Sequence, residues 1–248
     1  MNTRAKSALV AIVGTVAVVS LVASPFASAA TFGPPYMNSS FTTKPFSWGA
    51  TPVNQWQNTP PNSNSGSFVS WQNSTVGQLG PSTAELTSVQ GFETQPPTII
   101  SRGTHVVTLT FQFNGAALMS ARCFSSIGAA TMTVNQSAEY NVWTGSTWLF
   151  TASPIINDWT YSINSNCPSG NGFTKSLTGT WTAVFPSAFF PGSTYQFWGY
   201  LYTNTSAVET SITDVIATAC VDYWLSATSC AGPGSGSGNA QLTAITVT

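Results

Sequence analysis

Val107-Thr108-Leu109-Thr110-Phe111-Gln112-Phe113 alternates apolar and polar side chains one by one. Only a half-buried β-strand puts every second side chain on one face, so Val107, Leu109, Phe111 and Phe113 read as core-facing. Downstream, Leu177, Trp181, Ala183 and Phe185 share one face of a second such run, while Ser176, Thr178, Thr180 and Thr182 share the other. A threonine-rich outer face favours β structure without charge. Working outward, further strands are expected over 67–72, 84–90, 116–123, 129–135, 139–151, 157–164, 194–204, 210–224 and 240–247, with the glycine-rich run 231–239 joining the last two. No segment carries a helical stripe. The pattern predicts an all-β fold: an antiparallel β-sandwich of jelly-roll or Greek-key type with about ten strands.

The clearest hairpin signal is Asn141-Val142-Trp143-Thr144-Gly145-Ser146-Thr147-Trp148-Leu149-Phe150. Gly-Ser supplies the positive φ of a two-residue type II′ turn. That register sets Trp143 opposite Trp148 and Val142 opposite Leu149, the two pairs on opposite faces.

At the N-terminus, Arg4 and Lys6 precede an apolar run from Ala8 to Val22, then Pro25 and the small-residue triplet Ala27-Ser28-Ala29. This is the order of a secretory signal peptide over residues 1–29, with cleavage before Ala30. The apolar run is shorter than the ~20 residues of a membrane-spanning helix, so no membrane insertion is expected after cleavage. Residues 30–66 are dense in Pro, Asn, Ser and Thr and are expected to form an irregular N-terminal arm ahead of a sandwich domain over 67–248. Phe32, Tyr36, Phe41, Phe46, Trp48 and Trp56 are too many aromatics for an inert linker, so the arm is expected to dock.

Only 5% of the chain is charged, against ~25% in ordinary soluble domains. After residue 29 there are four basic and seven acidic side chains, a net charge of −3. That excludes the basic footprint of a nucleic-acid binder. Cys123, Cys167, Cys220 and Cys230 are an even set in a secreted chain and read as two disulfides. Of the three possible pairings Cys123–Cys167 with Cys220–Cys230 is favoured, because the second bridge closes a short loop, and Cys123–Cys220 with Cys167–Cys230 is also open. A zinc site is unsupported, since there is no CxxC spacing and His105 is the sole histidine. Sequons beginning at Asn38, Asn73, Asn135 and Asn204 are candidate glycosylation sites.

Catalytic groups are scarce. Asp214 and Asp222 share one predicted strand but stand about 26 Å apart at ~3.3 Å per residue, too far for a glycosidase pair. Glu93, Glu139, Asp158 and Glu209 meet only if the fold brings them together. No serine motif and no calcium loop is present. No catalytic residue, metal or cofactor is therefore expected.

Aromatic residues are plentiful instead. Strand 194–204 carries Tyr195, Phe197 and Leu201 on one face and Trp198, Tyr200 and Tyr202 on the other. The second set reads as a ligand-binding platform or as a surface covered by the aromatic arm, and the rarity of large exposed apolar patches favours the cover. Trp143 and Trp148 form a second candidate platform, or a core pair if their face is the buried one.

These features fit a secreted or cell-surface, non-catalytic protein of adhesion, envelope structure or glycan recognition, with glycans or other surface proteins as partners. Two alternatives are a filament or layer subunit that self-assembles by β-strand addition and an acid-active secreted hydrolase.

Overall fold

The computed structural model describes residues 29–58, 61–77, 80–95, 97–123, 128–145, 148–150, 155–164, 171–211, 215–223 and 240–248, with the backbone alone at 148–150, 155, 164 and 171. Residues 1–28 of the signal segment, Asp214, Cys167 and Cys230 lie outside these residues, as does the run 231–239.

Every described element is a strand. In chain order these are β1 (Ala30–Phe32), β2 (Asn38–Gly49), β3 (Pro52–Asn58), β4 (Ser67–Phe68), β5 (Ser70–Val76), β6 (Ser82–Glu93) and β7 (Thr98–Ile100). Then follow β8 (Gly103–His105), β9 (Val107–Phe113), β10 (Ala116–Cys123), β11 (Ala129–Trp143), β12 (Trp148–Phe150) and β13 (Ile155–Asn164). The last are β14 (Asn171–Ser176), β15 (Gly179–Val184), β16 (Ala188–Phe190), β17 (Ser193–Glu209), β18 (Val215–Asp222) and β19 (Ala240–Val247).

Two layers face each other. The first runs β13-β11-β17-β6-β2, all antiparallel, with β12 and β7 pairing the ends of β11 and β17. The second is a sheet of long, broken strands. One half runs β14-β10-β18-β5-β3 and the other β15-β9-β19-β1, with β4 on β19. The chain passes between the halves through Val69, through Asn114-Gly115 and through Leu177-Thr178.

If β4/β5 is taken as the first of eight long strands, the second layer holds strands one, eight, three and six, and the first layer holds two, seven, four and five. That order is a jelly roll. Inward side chains of both layers make the core. In β9 every second residue is buried, from Val107 to Phe113, as its alternation predicts.

The hairpin expected at 141–150 forms in the expected register, with Trp143 opposite Trp148 and Val142 opposite Leu149. Gly145 takes the positive φ that such a turn demands, +89°. Val142 lies in the core at 1% exposure, so the Trp143 face is the outer one.

Residues 38–58 depart from expectation. They are not irregular: β2 pairs β6 from Asn38↔Glu93 to Gly49↔Ser82, and β3 pairs β5. The composition hides a period of two, because Ser39, Phe41 and Thr43 are half-buried between exposed Asn38, Ser40, Thr42 and Lys44. Pairing to a long neighbour outweighs the weak local propensity of such residues. Pro45 is tolerated because β2 is an edge strand.

A polar belt crosses the core between the layers. Asn157 Nδ2 donates to Gln136 Oε1 (2.7 Å) and Gln136 Nε2 to the Tyr223 hydroxyl, which lies 3.2 Å from Thr203 Oγ1. Gln72 Nε2 donates to the Thr203 carbonyl (3.1 Å), Ser88 Oγ to Gln72 Oε1 (2.7 Å) and Ser74 Oγ to Asn54 Oδ1 (2.9 Å). Burial pushes the Tyr223 hydroxyl up to about 12, against hydrogen bonds with Thr203 and Gln136 that lower it. On one side of the belt lie Phe92, Phe111, Phe113 and Phe197, and on the other Val76, Met119, Met132 and Val134, all buried. Because buried polar groups are costly unless satisfied, a belt of this kind disfavours any slipped register of the layers.

Candidate functional site

β17 is the central strand of the first layer, and from Phe197 to Glu209 its residues alternate between buried in the core and half-buried on the outer face. Tyr195, Phe197 and Leu201 are in the core, at 1%, 0% and 1% exposure. Trp198, Tyr200 and Tyr202 are half-buried on the outer face. Among the described residues, β2 of the N-terminal arm lies beside β6 in the same sheet and not over these rings, while Met37 just ahead of it receives Gln196 Nε2 on its sulfur at 3.2 Å.

The three rings form one row. Trp198 and Tyr200 stack with centroids 5.8 Å apart at 12°, and Tyr200 and Tyr202 follow at 6.5 Å and 46°. Neighbouring strands leave room for this. Opposite Tyr200, β6 presents Gly91, where an added Cβ would stand 2.6 Å from Tyr200 Cε1. The tyrosine ring therefore occupies the space that a side chain on β6 would fill.

Register also gathers residues that no local pattern links. Trp143 on β11 faces Gln196 of β17, and Asn141 faces Trp198. The two aromatic sets thus lie side by side on one face of one sheet. The side chain of Trp148 lies outside the described atoms, but its backbone pairs with Trp143 at the margin of this face.

Two carboxylates flank the row. Glu93 of β6 is directly opposite Trp198, and Glu139 of β11 is opposite Tyr200. Glu93 is raised above the ordinary carboxylate range by burial, opposed by hydrogen bonds from Trp198 and Asn38. Glu139, 7% exposed, receives Asn141 Nδ2 at 3.2 Å. The Tyr202 hydroxyl is raised above 10.0 by burial first, then by the charge of Glu139 and its hydrogen bond to that carboxylate. Tyr200 is raised by burial, opposed by a hydrogen bond with Asn141, with Glu139 and Glu93 adding to the rise. The carboxylates thus hold the polar ends of the rings, while Trp198 and Tyr200 each turn one face to the other and keep the rest of the ring at the surface.

The other residues singled out in the sequence fall elsewhere. Asp158 is exposed on the same face, opposite Asn135, and Glu209 is buried at 1% exposure. His105 is buried, with Nε2 2.9 Å from the Ser101 carbonyl and its ring edge-on to Phe190. Arg102 packs its guanidinium 5.9 Å from the Phe189 ring. Neither described cysteine is free. Cys220 faces Leu118 while Cys123 faces Val215, so the two stand about 17 Å apart along the sheet, beyond disulfide reach.

Of the sequons, Asn38 is exposed, and Asn135 and Asn204 are half-buried direct partners on the outer face. Asn73 is buried at 6% exposure and accepts the Thr75 hydroxyl at 3.1 Å, which leaves no room for a glycan there. The triplet alone carries no information on burial.

No family model and no curated protein sequence matches the chain. Among solved structures it is similar to a family 11 carbohydrate-binding module from Clostridium thermocellum in complex with a β-1,3-1,4-mixed-linked tetrasaccharide, at 4% identity and TM-score 0.22, covering 77% of this chain and 95% of that one. A structure described under the promiscuous specificity of carbohydrate-binding modules of the β-sandwich superfamily gives 19% identity and TM-score 0.19, covering 73% and 54%. The enzymatically active domain of tailspike protein 4 of bacteriophage CBA120 gives 12% and 0.16, covering 77% and 20%. At these scores the likenesses carry no argument for this chain.

Proposed function

We propose that this is an extracellular, non-catalytic jelly-roll protein that binds carbohydrate on the outer face of its first layer. The observation that carries the reading is the row Trp198, Tyr200 and Tyr202 on one central strand, fixed at its polar ends by Glu93 and Glu139. Aromatic faces pack against the C–H faces of sugar rings, and the surrounding carboxylates and amides accept and donate to hydroxyls. The low charge suits a neutral, hydroxylated ligand better than phosphate or nucleic acid. Because Glu93 and Glu139 hydrogen-bond the platform's own side chains, a holding role is better supported than bond cleavage.

The signal-like segment 1–29 and the two proposed bridges, Cys123–Cys167 and Cys220–Cys230, support an extracellular location. Adhesion or envelope attachment would follow from carbohydrate binding at a cell surface.

Retention of the purified protein on immobilised polysaccharides tests the reading. Trp198→Ala is expected to abolish retention with the melting temperature within a few degrees of the parent. A Trp198→Ala protein that is folded and still retained overturns the proposal.

A further inference from the structure

Two large apolar side chains sit far from the platform on the same face. Phe46 and Trp48 of β2 are 55% and 61% exposed. Phe46 is opposite Glu85 and Trp48 opposite Thr83, and these in turn face Ser206 and Val208 of β17. Ala84 and Leu86 between them are fully buried, so Glu85 and Thr83, and with them Phe46 and Trp48, point outward.

A diagonal stripe results. It starts at Trp143 on β11, runs down β17 through Trp198, Tyr200 and Tyr202, and reaches Phe46 and Trp48 on β2 two strands over. From the Gln196 level to the Val208 level is twelve residues of β17, about 40 Å at strand rise. Between the two aromatic clusters the face is hydrogen-bonding, built of Thr42, Thr87 and Asn204, and its two charges, Lys44 and Glu85, are of opposite sign.

Resting on the carbohydrate reading above, we infer that the ligand is an extended, neutral polysaccharide chain lying along this diagonal, with Phe46 and Trp48 as a remote subsite. A terminal sugar or a disaccharide would fill the Trp198–Tyr202 row and leave Phe46 and Trp48 untouched. A chain of many sugars engages both clusters and gains affinity through the second. The net charge of −3 after residue 29 disfavours an acidic polymer.

The test is calorimetric titration of a soluble glucan and a soluble mannan, each beside its own two-unit and eight-unit oligomers. The polymer and the long oligomer are expected to bind more tightly than the short one. The double variant F46A/W48A should weaken polymer binding roughly tenfold, two exposed aromatic contacts being removed, with short-oligomer binding unchanged. Trp198→Ala should weaken both. If F46A/W48A leaves polymer affinity intact while Trp198→Ala reduces it, the remote subsite is wrong and the carbohydrate reading stands. If the parent protein binds no polymer or oligomer, both fall. Oxidative labelling of Trp48 in the unmodified chain gives the same answer without a substitution: protection by polymer supports the subsite, and unchanged labelling overturns it.

Discussion

Tyr200 fills the space above Gly91, whose missing Cβ would stand 2.6 Å from the ring and whose neighbour Ser40 Oγ would be 2.7 Å from the same atom. Gly91→Ala must therefore push the ring off the sheet. The substitution is expected to cost roughly 1–3 kcal/mol as an overpacking change and to weaken carbohydrate retention. The pair G91A/Y200A should recover part of the stability but none of the binding. Urea melts and retention assays on the three variants check this, and additive stabilities would mean that the two residues do not interact.

Glu93 binds its proton more tightly in the folded chain than at its ordinary value of 4.5, chiefly through burial. Between 4.5 and the higher folded value the native state holds more proton than the unfolded chain, so this group makes stability fall as pH rises through that window. Glu93→Gln removes the effect. The difference in melting temperature between parent and variant should favour the parent at the acid end of the window and shift toward the variant above it. A difference that is flat with pH would show that the carboxyl titrates alike in both states.

Tyr223→Phe deletes the hydroxyl that receives Gln136 and meets Thr203. Both partners are buried at 0% exposure, so the loss is expected to cost about 1–3 kcal/mol in denaturant unfolding. A change within a few tenths would indicate that the belt is not held through this hydroxyl.

Asn135 and Asn204 are direct cross-strand partners, about 5 Å apart at Cα, so a glycan on one occupies the space of the other. Expression in a host with N-glycosylation is expected to yield chains modified at one of the two, never both, and unmodified at Asn73, and a glycan on Asn204 should block the polymer path that crosses it. Intact-mass and glycopeptide mapping decide this, and a doubly occupied pair would contradict the direct cross-strand pairing of the two asparagines.

Much of the architecture was legible from period alone, because β9 buries every second residue of a plain alternation and β17 does so from Phe197 to Glu209. The register of the 141–150 hairpin was legible from one Gly-Ser pair. Strands β2 and β3 were not, since proline, asparagine and serine mask their alternation and their stability comes from β6 and β5. Nor could the sequence bring Glu93 and Glu139 to these rings and Trp143 to the same face. That convergence depends on β11 and β6 flanking β17, and strand order is a property of the whole topology. Gly91 showed no sign of its part, because a glycine in a strand marks a close approach without saying what approaches.

The edge strand β2 has Lys44 and Pro45 at its middle. Pro45 sits where its missing N–H would have faced outward, and a lysine is solvated beside it. An incoming strand from another molecule finds its ladder interrupted after a few residues. Growth of fibres by templating along this margin is thereby discouraged, so a protein with almost no electrostatic repulsion between copies keeps, at this border, a built-in guard against runaway stacking.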